Sequence, residues 1–589
     1  MHRLICLPWA SIEAAFSLWY AYQKRRIQQP GPRPLYSRRF LHRVFARALK
    51  SGMAVADDDG AESQEVDRHL AVHQQNGDSA VRRRKASARE VTSRSVDEGE
   101  DPEQWFQAHY LDRDDPRAVK FQQEQAKWFH LPPTANSATQ ITRRDGSRWL
   151  SWSLFSCDLE ELEAEHRSLT SSKGNASAVN GIAQGLSTRY HTIDDVDSAD
   201  DKEDPDLKKV LASPPDWTDI RQGTRLEFVR KARRLIESRQ GFAYPLIPGG
   251  HPAHEGEMDG EGSTDGSVTT HSMRLTIDPV HVSYRPFLKY CVTQSLSRLT
   301  IYSATHSGGF KLCQEGRLSY LVKVPPGWTA AKAADPANKG LYRPTIFLHG
   351  LGIGLAQYHH LVHHLASSEL AKTHPLMIPL QPHTSQALFS PHFLKPLTHH
   401  EMIRCLRKVF RSLQWEGIQI LSHSMGTIVH SWLLKSLGSR VERSCFVDPV
   451  CVRLWIPDVA GNFVYRKPWD GVSLLMRYFV GTELGTANTL CRYFDWASAI
   501  LWPEDEIPNM TDRHRTTFFL AGKDAILSCE ETRIYLLEHG LKEVEMDEAA
   551  REKRRGGLIV DWEAAHGELL MRDGDGIKAV MNWLSELDN

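Results

Sequence analysis

The stretch Ile418-Gln419-Ile420-Leu421-Ser422-His423-Ser424-Met425-Gly426 decides how this chain folds. Its apolar start predicts a buried strand, the small residues after it a sharp turn, and Thr427 to Leu437 a helix. A serine at such a turn is held in a strained backbone conformation that pushes its hydroxyl out of the end of a sheet, and only small neighbours leave room for it. Ser424 is therefore the candidate nucleophile. The usual spacing has glycine two residues before and two after the serine; here Ser422 takes the first position and Gly426 keeps the second.

A serine hydroxyl needs a histidine to accept its proton and a carboxylate to hold that histidine in the right tautomer. Thr516-Thr517-Phe518-Phe519-Leu520-Ala521 predicts a short strand running into Gly522-Lys523-Asp524, which puts Asp524 on the loop just beyond it. Gly557-Leu558-Ile559-Val560 predicts the last strand, and Asp561 to Gly567 places His566 in the loop that follows. An amphipathic stretch from Gly576 to Leu587 closes the chain as a helix. Asp448 is the rival acid, because Ser444-Cys445-Phe446-Val447 also reads as a strand. His539 is the rival base, although its seat after the helix-like Glu530 to Glu538 suits a helix-terminal role better.

Acyl transfer also needs donors for the tetrahedral oxyanion. The N–H of Met425, directly after the serine, is one. The other is the N–H of Leu351, in the glycine-rich loop His349-Gly350-Leu351-Gly352-Ile353-Gly354 that follows the strand-like Thr345 to Leu348. That loop lacks the lysine and Ser/Thr of a phosphate-binding loop and the flanks of a dinucleotide fingerprint, which argues against nucleotide binding. Neither a cofactor nor a metal is expected. His359, His360, His363 and His364 give two i, i+4 pairs with metal-ligand spacing, but no third ligand lies nearby in sequence and no glutamate stands between them, so a surface or packing role is expected.

Together, His349-Gly350-Leu351-Gly352, Ser422-His423-Ser424-Met425-Gly426, Gly522-Lys523-Asp524 and Ala565-His566-Gly567 resemble the α/β-hydrolase superfamily over residues 315–589. Ser424, Asp524 and His566 stand in the chain order of that superfamily's triad. The stretches 349–355, 448–450, 457–466 and 501–505 are similar, more narrowly, to a group of fungal membrane-associated α/β-hydrolases. The resemblance implies an ester-, thioester- or amide-hydrolysing fold without a metal, and it implies no substrate. Serine at the turn argues against the dehalogenase and epoxide-hydrolase branches, which carry aspartate there.

The fold class expected is α/β, a mostly parallel sheet covered by helices on both faces. Its strands are predicted at 318–324, 345–348, 376–380, 418–421, 445–447, 516–520 and 558–560, short apolar runs separated by helical patterns. The catalytic domain spans 273–589, and a helical cap occupies 451–512, longer than an ordinary crossover. The cap's aromatic load, Trp455, Phe463, Tyr465 and Trp469 among it, suits a lid over an apolar acyl pocket, although plain helix packing would use the same residues. The N-terminal half reads as partly disordered: residues 51–100, 171–210 and 246–272 are polar and poor in large apolar groups. Aromatic-rich segments within 101–245 are expected to form helices that pack on the main domain.

Residues 4–22 are apolar and aromatic, interrupted by Pro8 and Glu13, and nine basic residues with no acid among them follow between Lys24 and Lys50. This predicts a membrane-associating segment within 1–50, either spanning or lying in the interface; one carboxylate at the middle of a span costs about 2–3 kcal/mol. A buried N-terminal helix and a mitochondrial presequence are the alternatives. The basic flank would keep the catalytic domain in the cytosol, and nine scattered cysteines without a C-x-x-C fit a reducing compartment. A formal charge of −1 gives no bias toward nucleic acid. The function expected is hydrolysis of an ester or thioester of a hydrophobic, lipid-like substrate. The alternatives are a non-catalytic scaffold and a peptidase or amidase of the same fold, with Glu504 and Asp505 as charged anchors.

Overall fold

The computed structural model describes residues 2–34, 36–51, 111–134, 137–171, 217, 223–249, 270–546 and 556–588. The segments expected to be disordered, 51–100, 171–210 and 246–272, lie almost wholly outside these residues, as do Trp105, Phe106 and Tyr110.

One sheet of eight strands organises the C-terminal half. The strands are β1 (Lys311–Glu315), β2 (Leu318–Lys323), β3 (Thr345–Leu348), β4 (Leu376–Leu380), β5 (Ile418–His423), β6 (Val441–Val447), β7 (Thr516–Ala521) and β8 (Gly557–Asp561). Their order is β1-β2-β4-β3-β5-β6-β7-β8. β2 runs antiparallel to both β1 and β4, and every other pairing is parallel. Residues alternate between the faces, as a pleated strand requires. Ile346, Leu348, Phe446 and Phe518 enter one apolar core, whereas Phe347, Cys445, Val447 and Phe519 enter another. The edge strand β1 escapes the sequence pattern because its residues are exposed or half-exposed and carry no apolar alternation.

The N-terminal half supplies α1 (His2–Arg26), α2 (Arg38–Lys50), α3 (Pro116–Trp128), α4 (Arg143–Phe155), α5 (Leu159–Ser171) and α6 (Arg225–Gln240). Around the sheet lie α7 (Phe287–His306), α8 (His359–Ser367), α9 (His399–Leu413) and α10 (Gly426–Leu437). The cap contributes α11 (Gly471–Met476) and α12 (Leu484–Arg492), and α13 (Cys529–Glu538) and α14 (Asp575–Leu584) come after β7 and β8. Reciprocal side-chain caps, Thr142 with Asp145, Thr224 with Glu227 and Thr398 with Glu401, fix where α4, α6 and α9 begin.

The N-terminal helices and the cap share a core. Leu41, Phe45, Trp128, Trp152 and Leu226 bury into the same cluster as Leu454, Ile500 and Trp502 of the cap. Arg492, buried at the end of α12, donates to the carbonyls of Ile27 at 2.9 Å, Leu275 at 3.3 Å, Thr276 at 3.2 Å and Asp278 at 3.0 Å. No helix among the described residues is long and apolar enough to cross a membrane. Glu13, which would be costly inside a bilayer, accepts the Phe287 N–H at 3.2 and 3.1 Å and so caps the start of α7, while Phe16 and Tyr20 on the same helix are buried. The spanning alternative for residues 4–22 is thereby replaced by a helix docked on the domain.

Register sets the site. Leu348 lies opposite Ser422, His423 opposite Val447, Val447 opposite Phe519 and Ala521 opposite Asp561. The C-terminal ends of β3, β5, β6, β7 and β8 are therefore level, and the loops leaving that edge carry Leu351, Ser424, Asp448, Asp524 and His566.

Candidate active site

Between β5 and α10 the backbone at Ser424 has φ +50°, a left-handed conformation that a non-glycine residue adopts only under constraint. Its N–H donates to the Val447 carbonyl at 3.1 Å, and its carbonyl accepts from the Thr427 N–H at 2.9 Å and hydroxyl at 2.6 Å. Two glycines make room. A Cβ on Gly426 would come within 2.1 Å of the Leu348 carbonyl oxygen, and one on Gly350 within 2.8 Å of the Ser424 Cβ. Ser422 occupies the position where glycine is usual and is an ordinary buried strand residue, with its Oγ 2.8 Å from His430 Nδ1. The His430 Nε2 in turn lies 3.1 Å from Ser444 Oγ.

Three side chains meet at the sheet edge. His566 Nε2 lies 2.9 Å from Ser424 Oγ, and its Nδ1 lies 2.6 Å from Asp524 Oδ2. Asp524 is held by the N–H groups of Ile526 at 2.7 Å and Leu527 at 3.0 Å, both on its Oδ1. An Nδ1–H donating to Asp524 leaves Nε2 free to accept the serine proton. Burial pushes the imidazole pKa down, but the charge and hydrogen bond of Asp524, with the charge of Asp448, outweigh it and hold the group at about 9.

The rivals take other positions. Asp448, itself at φ +45°, accepts the Ala521 N–H at 2.8 Å and the Gly567 N–H at 2.7 Å, tying the ends of β6 and β7 to the loop of His566. Burial, with the charge of Asp524, raises its pKa against the lowering charge of His566. His539 stays at the end of α13, its Nδ1 donating to the Tyr535 carbonyl at 2.7 Å.

A buried relay connects the loop after β3 to this cluster, and the sequence alone did not point to it. The Gly350 N–H donates to Tyr358 Oη at 3.0 Å, and the tyrosine hydroxyl donates to His423 Nδ1 at 2.7 Å. The His423 Nε2 faces Asp448 Oδ2 at 3.8 Å and has no hydrogen-bond partner among the described residues. Burial, reinforced by His566, pushes the His423 pKa far down, so the ring is neutral. In the same loop the N–H groups of Gly350, Gly352 and Ile353 all have acceptors, which leaves the Leu351 N–H without one among the described residues. The Met425 N–H, at the start of α10, is in the same state. His349 braces the loop: its Nδ1 donates to the Gly350 carbonyl at 3.0 Å and its Nε2 accepts from the Gln381 N–H at 3.3 Å.

Ligand atoms of Asp448, Asp524 and His566 fall within 4.8 Å of one another, but N–H donors already satisfy all four carboxylate oxygens, a hydrogen-bonding role rather than a metal-binding one. His364 Nε2 lies 3.0 Å from Asp573, and among the described residues no group of three ligands forms around the histidine row of α8. The cap aromatics divide. Trp455 and Trp496 line an apolar cavity of about 90 Å³ at the seam with Phe45, Trp128 and Trp152, apart from Ser424, whereas Trp469, Tyr478 and Phe479 are exposed. Asp505 pairs with Arg47 at 2.6 Å, and Glu504 accepts from the Tyr535 hydroxyl at 3.2 Å, so both expected anchors are engaged inside the protein.

No family model and no curated protein matches the sequence. Solved structures do. One is an α/β-hydrolase from a lagoon-sediment metagenome, 15% identical, with 46% of this chain and 97% of that chain covered at a TM-score of 0.29. The carboxylesterase CesB of Bacillus subtilis is 14% identical, with 51% and 96% covered at 0.29. A bacterial membrane phospholipase A is 13% identical, with 50% and 93% covered at 0.33. The strand order, the direction of every pairing and the strained serine turn at the end of β5 make the fold that of the α/β-hydrolases.

Proposed function

We propose that the protein is a serine hydrolase. His566 takes the Ser424 proton as Oγ bonds to a carbonyl carbon, and Asp524 holds the imidazole and stabilises the imidazolium. The oxyanion forms against the N–H groups of Leu351 and Met425. Collapse expels an alcohol or thiol that takes its proton from His566, and water then releases the acyl group by the same steps in reverse. The observation that carries this reading is one imidazole within 2.9 Å of Ser424 Oγ and 2.6 Å of Asp524 Oδ2. The favoured substrate is an ester or thioester with a hydrophobic acyl part, a reading that rests on the apolar N-terminal segment and the aromatic load of residues 451–512. Engagement of Glu504 and Asp505 within the fold removes the main support for a peptidase.

A fluorophosphonate probe should label the purified full chain, and Ser424→Ala should abolish the label. Turnover of a graded series of p-nitrophenyl esters should fall by on the order of 10⁴-fold in the same variant. A folded wild type that takes no label would make the protein a scaffold.

A further inference from the structure

Helix α7 turns an apolar stripe outward. Its buried face mixes Tyr290 and Ala304 with Thr293, Gln294 and Ser297, while Leu288, Val292, Leu296, Leu299 and Tyr302 face outward, each between 46% and 61% exposed. Their spacing lays one apolar stripe along the twenty residues of the helix. The inner face is hydrogen-bonded: the Gln294 amide donates to the Ser385 carbonyl at 3.1 Å and the Gln386 carbonyl at 3.0 Å. An outer stripe of five large apolar side chains is out of place against water and fits an apolar medium outside.

Two other elements extend the stripe. Between Trp9 and Gln23 the only charged side chain of α1 is Glu13, which is turned onto the start of α7, and Trp9, Ile12, Leu18 and Tyr22 are exposed. Phe16 packs on Phe287 with ring centroids 5.2 Å apart, which joins the two helices, and the exposed Phe389 meets the same ring at 6.0 Å. The cap adjoins them where Arg285 donates to the Tyr478 carbonyl, and there Leu474, Leu475, Tyr478 and Phe479 are exposed. Basic side chains prevail at the margin of this surface. Lys24, Arg25 and Arg26 end α1 and Arg298 is exposed on α7, which contains neither aspartate nor glutamate, while Glu13 is turned onto α7 and Asp470 is an exposed acid at the start of α11.

We propose that this composite face of α1, α7 and the cap turn around Leu474–Phe479 docks on the surface of an anionic lipid bilayer, with the leucine stripe in the acyl boundary and the basic residues among the headgroups. The basic margin favours lipid phosphate over a protein partner. So do Trp9, Tyr22 and Tyr302, amphipathic rings of the kind that settle at the membrane interface. The docked helix backs directly onto the loop that carries Leu351, because a Cβ on Gly354 would come within 2.7 Å of the Ser297 hydroxyl. The contact is independent of the hydrolase reading.

The test is flotation of the full chain with vesicles of phosphatidylcholine alone or mixed with phosphatidylserine. Wild type and Ser424→Ala should both float with the mixed vesicles, and less so at high salt. Val292→Glu combined with Leu299→Glu should float at least tenfold less with no change in thermal midpoint. Leu296→Ser combined with Tyr302→Ser, which adds no charge, should also float less and guards against misfolding of the first variant. Wild type that stays with the unbound protein, or both variants floating like wild type, would overturn the proposal. So would a lipid-free dimer that the same substitutions break, which would make the face a protein interface.

Discussion

Asp448 lies close enough to His566 for its charge to help raise that imidazole, yet both of its oxygens accept backbone N–H groups. A general base must be neutral, so kcat/KM is expected to rise with pH along an alkaline limb near the His566 value of about 9. Asp448→Asn removes one of the charges that raise it and should move the limb to lower pH, toward the ordinary imidazole value, in a pH profile of ester turnover. An unmoved limb would confine Asp448 to holding the loop. The same variant turns a donor toward a backbone N–H and should cost about 1–3 kcal/mol of stability by denaturant melting. For the fold, the sign is fixed by the raised pKa: protonation of His566 contributes stability in full below about 6.5, and that contribution is lost as pH climbs through about 9. Gly350→Ala, which brings a Cβ to 2.8 Å from that of Ser424, should cut probe labelling at least tenfold while the protein still folds. Ser424, Asp524 and His566 are legible in the sequence because each follows a strand-like run at a telling distance. Asp448 follows such a run as well, and only the three-dimensional distance separates the two acids. Tyr358 carries no motif, and His423 fills a position of the serine turn that any residue can occupy; their relation appears once β3 and β5 lie side by side.

At the scale of elements, the parallel strands were readable from short apolar runs, because both faces of the sheet are covered and every residue of β3 and β5 is buried. β1 was not, since a polar edge strand has no pattern to distinguish it from a loop. Residues 4–22 illustrate a different limit. Apolarity and length describe a membrane segment and a docked helix equally well, and what distinguishes them is the partner of Glu13, which lies at Phe287, far along the chain. The seam between the N-terminal helices and the cap depends on Arg492 in the same way. Arg492→Ala would leave several buried carbonyls without a donor and should lower stability by about 2–4 kcal/mol, read as a drop of several degrees in thermal midpoint. Gly31, where a Cβ would come within 1.8 Å of the Arg492 carbonyl oxygen, tolerates no side chain there, and Gly31→Ala should weaken the same seam.

For the molecule as a whole, the shared core means that residues 273–589 do not carry their own surface. Cutting the chain at 273 would uncover the cap residues that face α2 to α4, such as Leu454 and Trp496. The isolated fragment is expected to bind a hydrophobic dye strongly or to precipitate where the full chain stays soluble, a comparison that needs only the two purified proteins. The domain boundary drawn from composition follows the polar stretches 51–100 and 246–272, but composition does not mark where the apolar faces of a chain find partners. The bond from Arg492 to the Ile27 carbonyl joins residues 465 positions apart. A ribosome adding about 5–20 residues per second needs roughly 20–90 seconds to cover that distance. For most of that interval α1 and the turn after it wait outside the ribosome with this partner still unmade, so the contact between the two ends of the chain closes only late in synthesis.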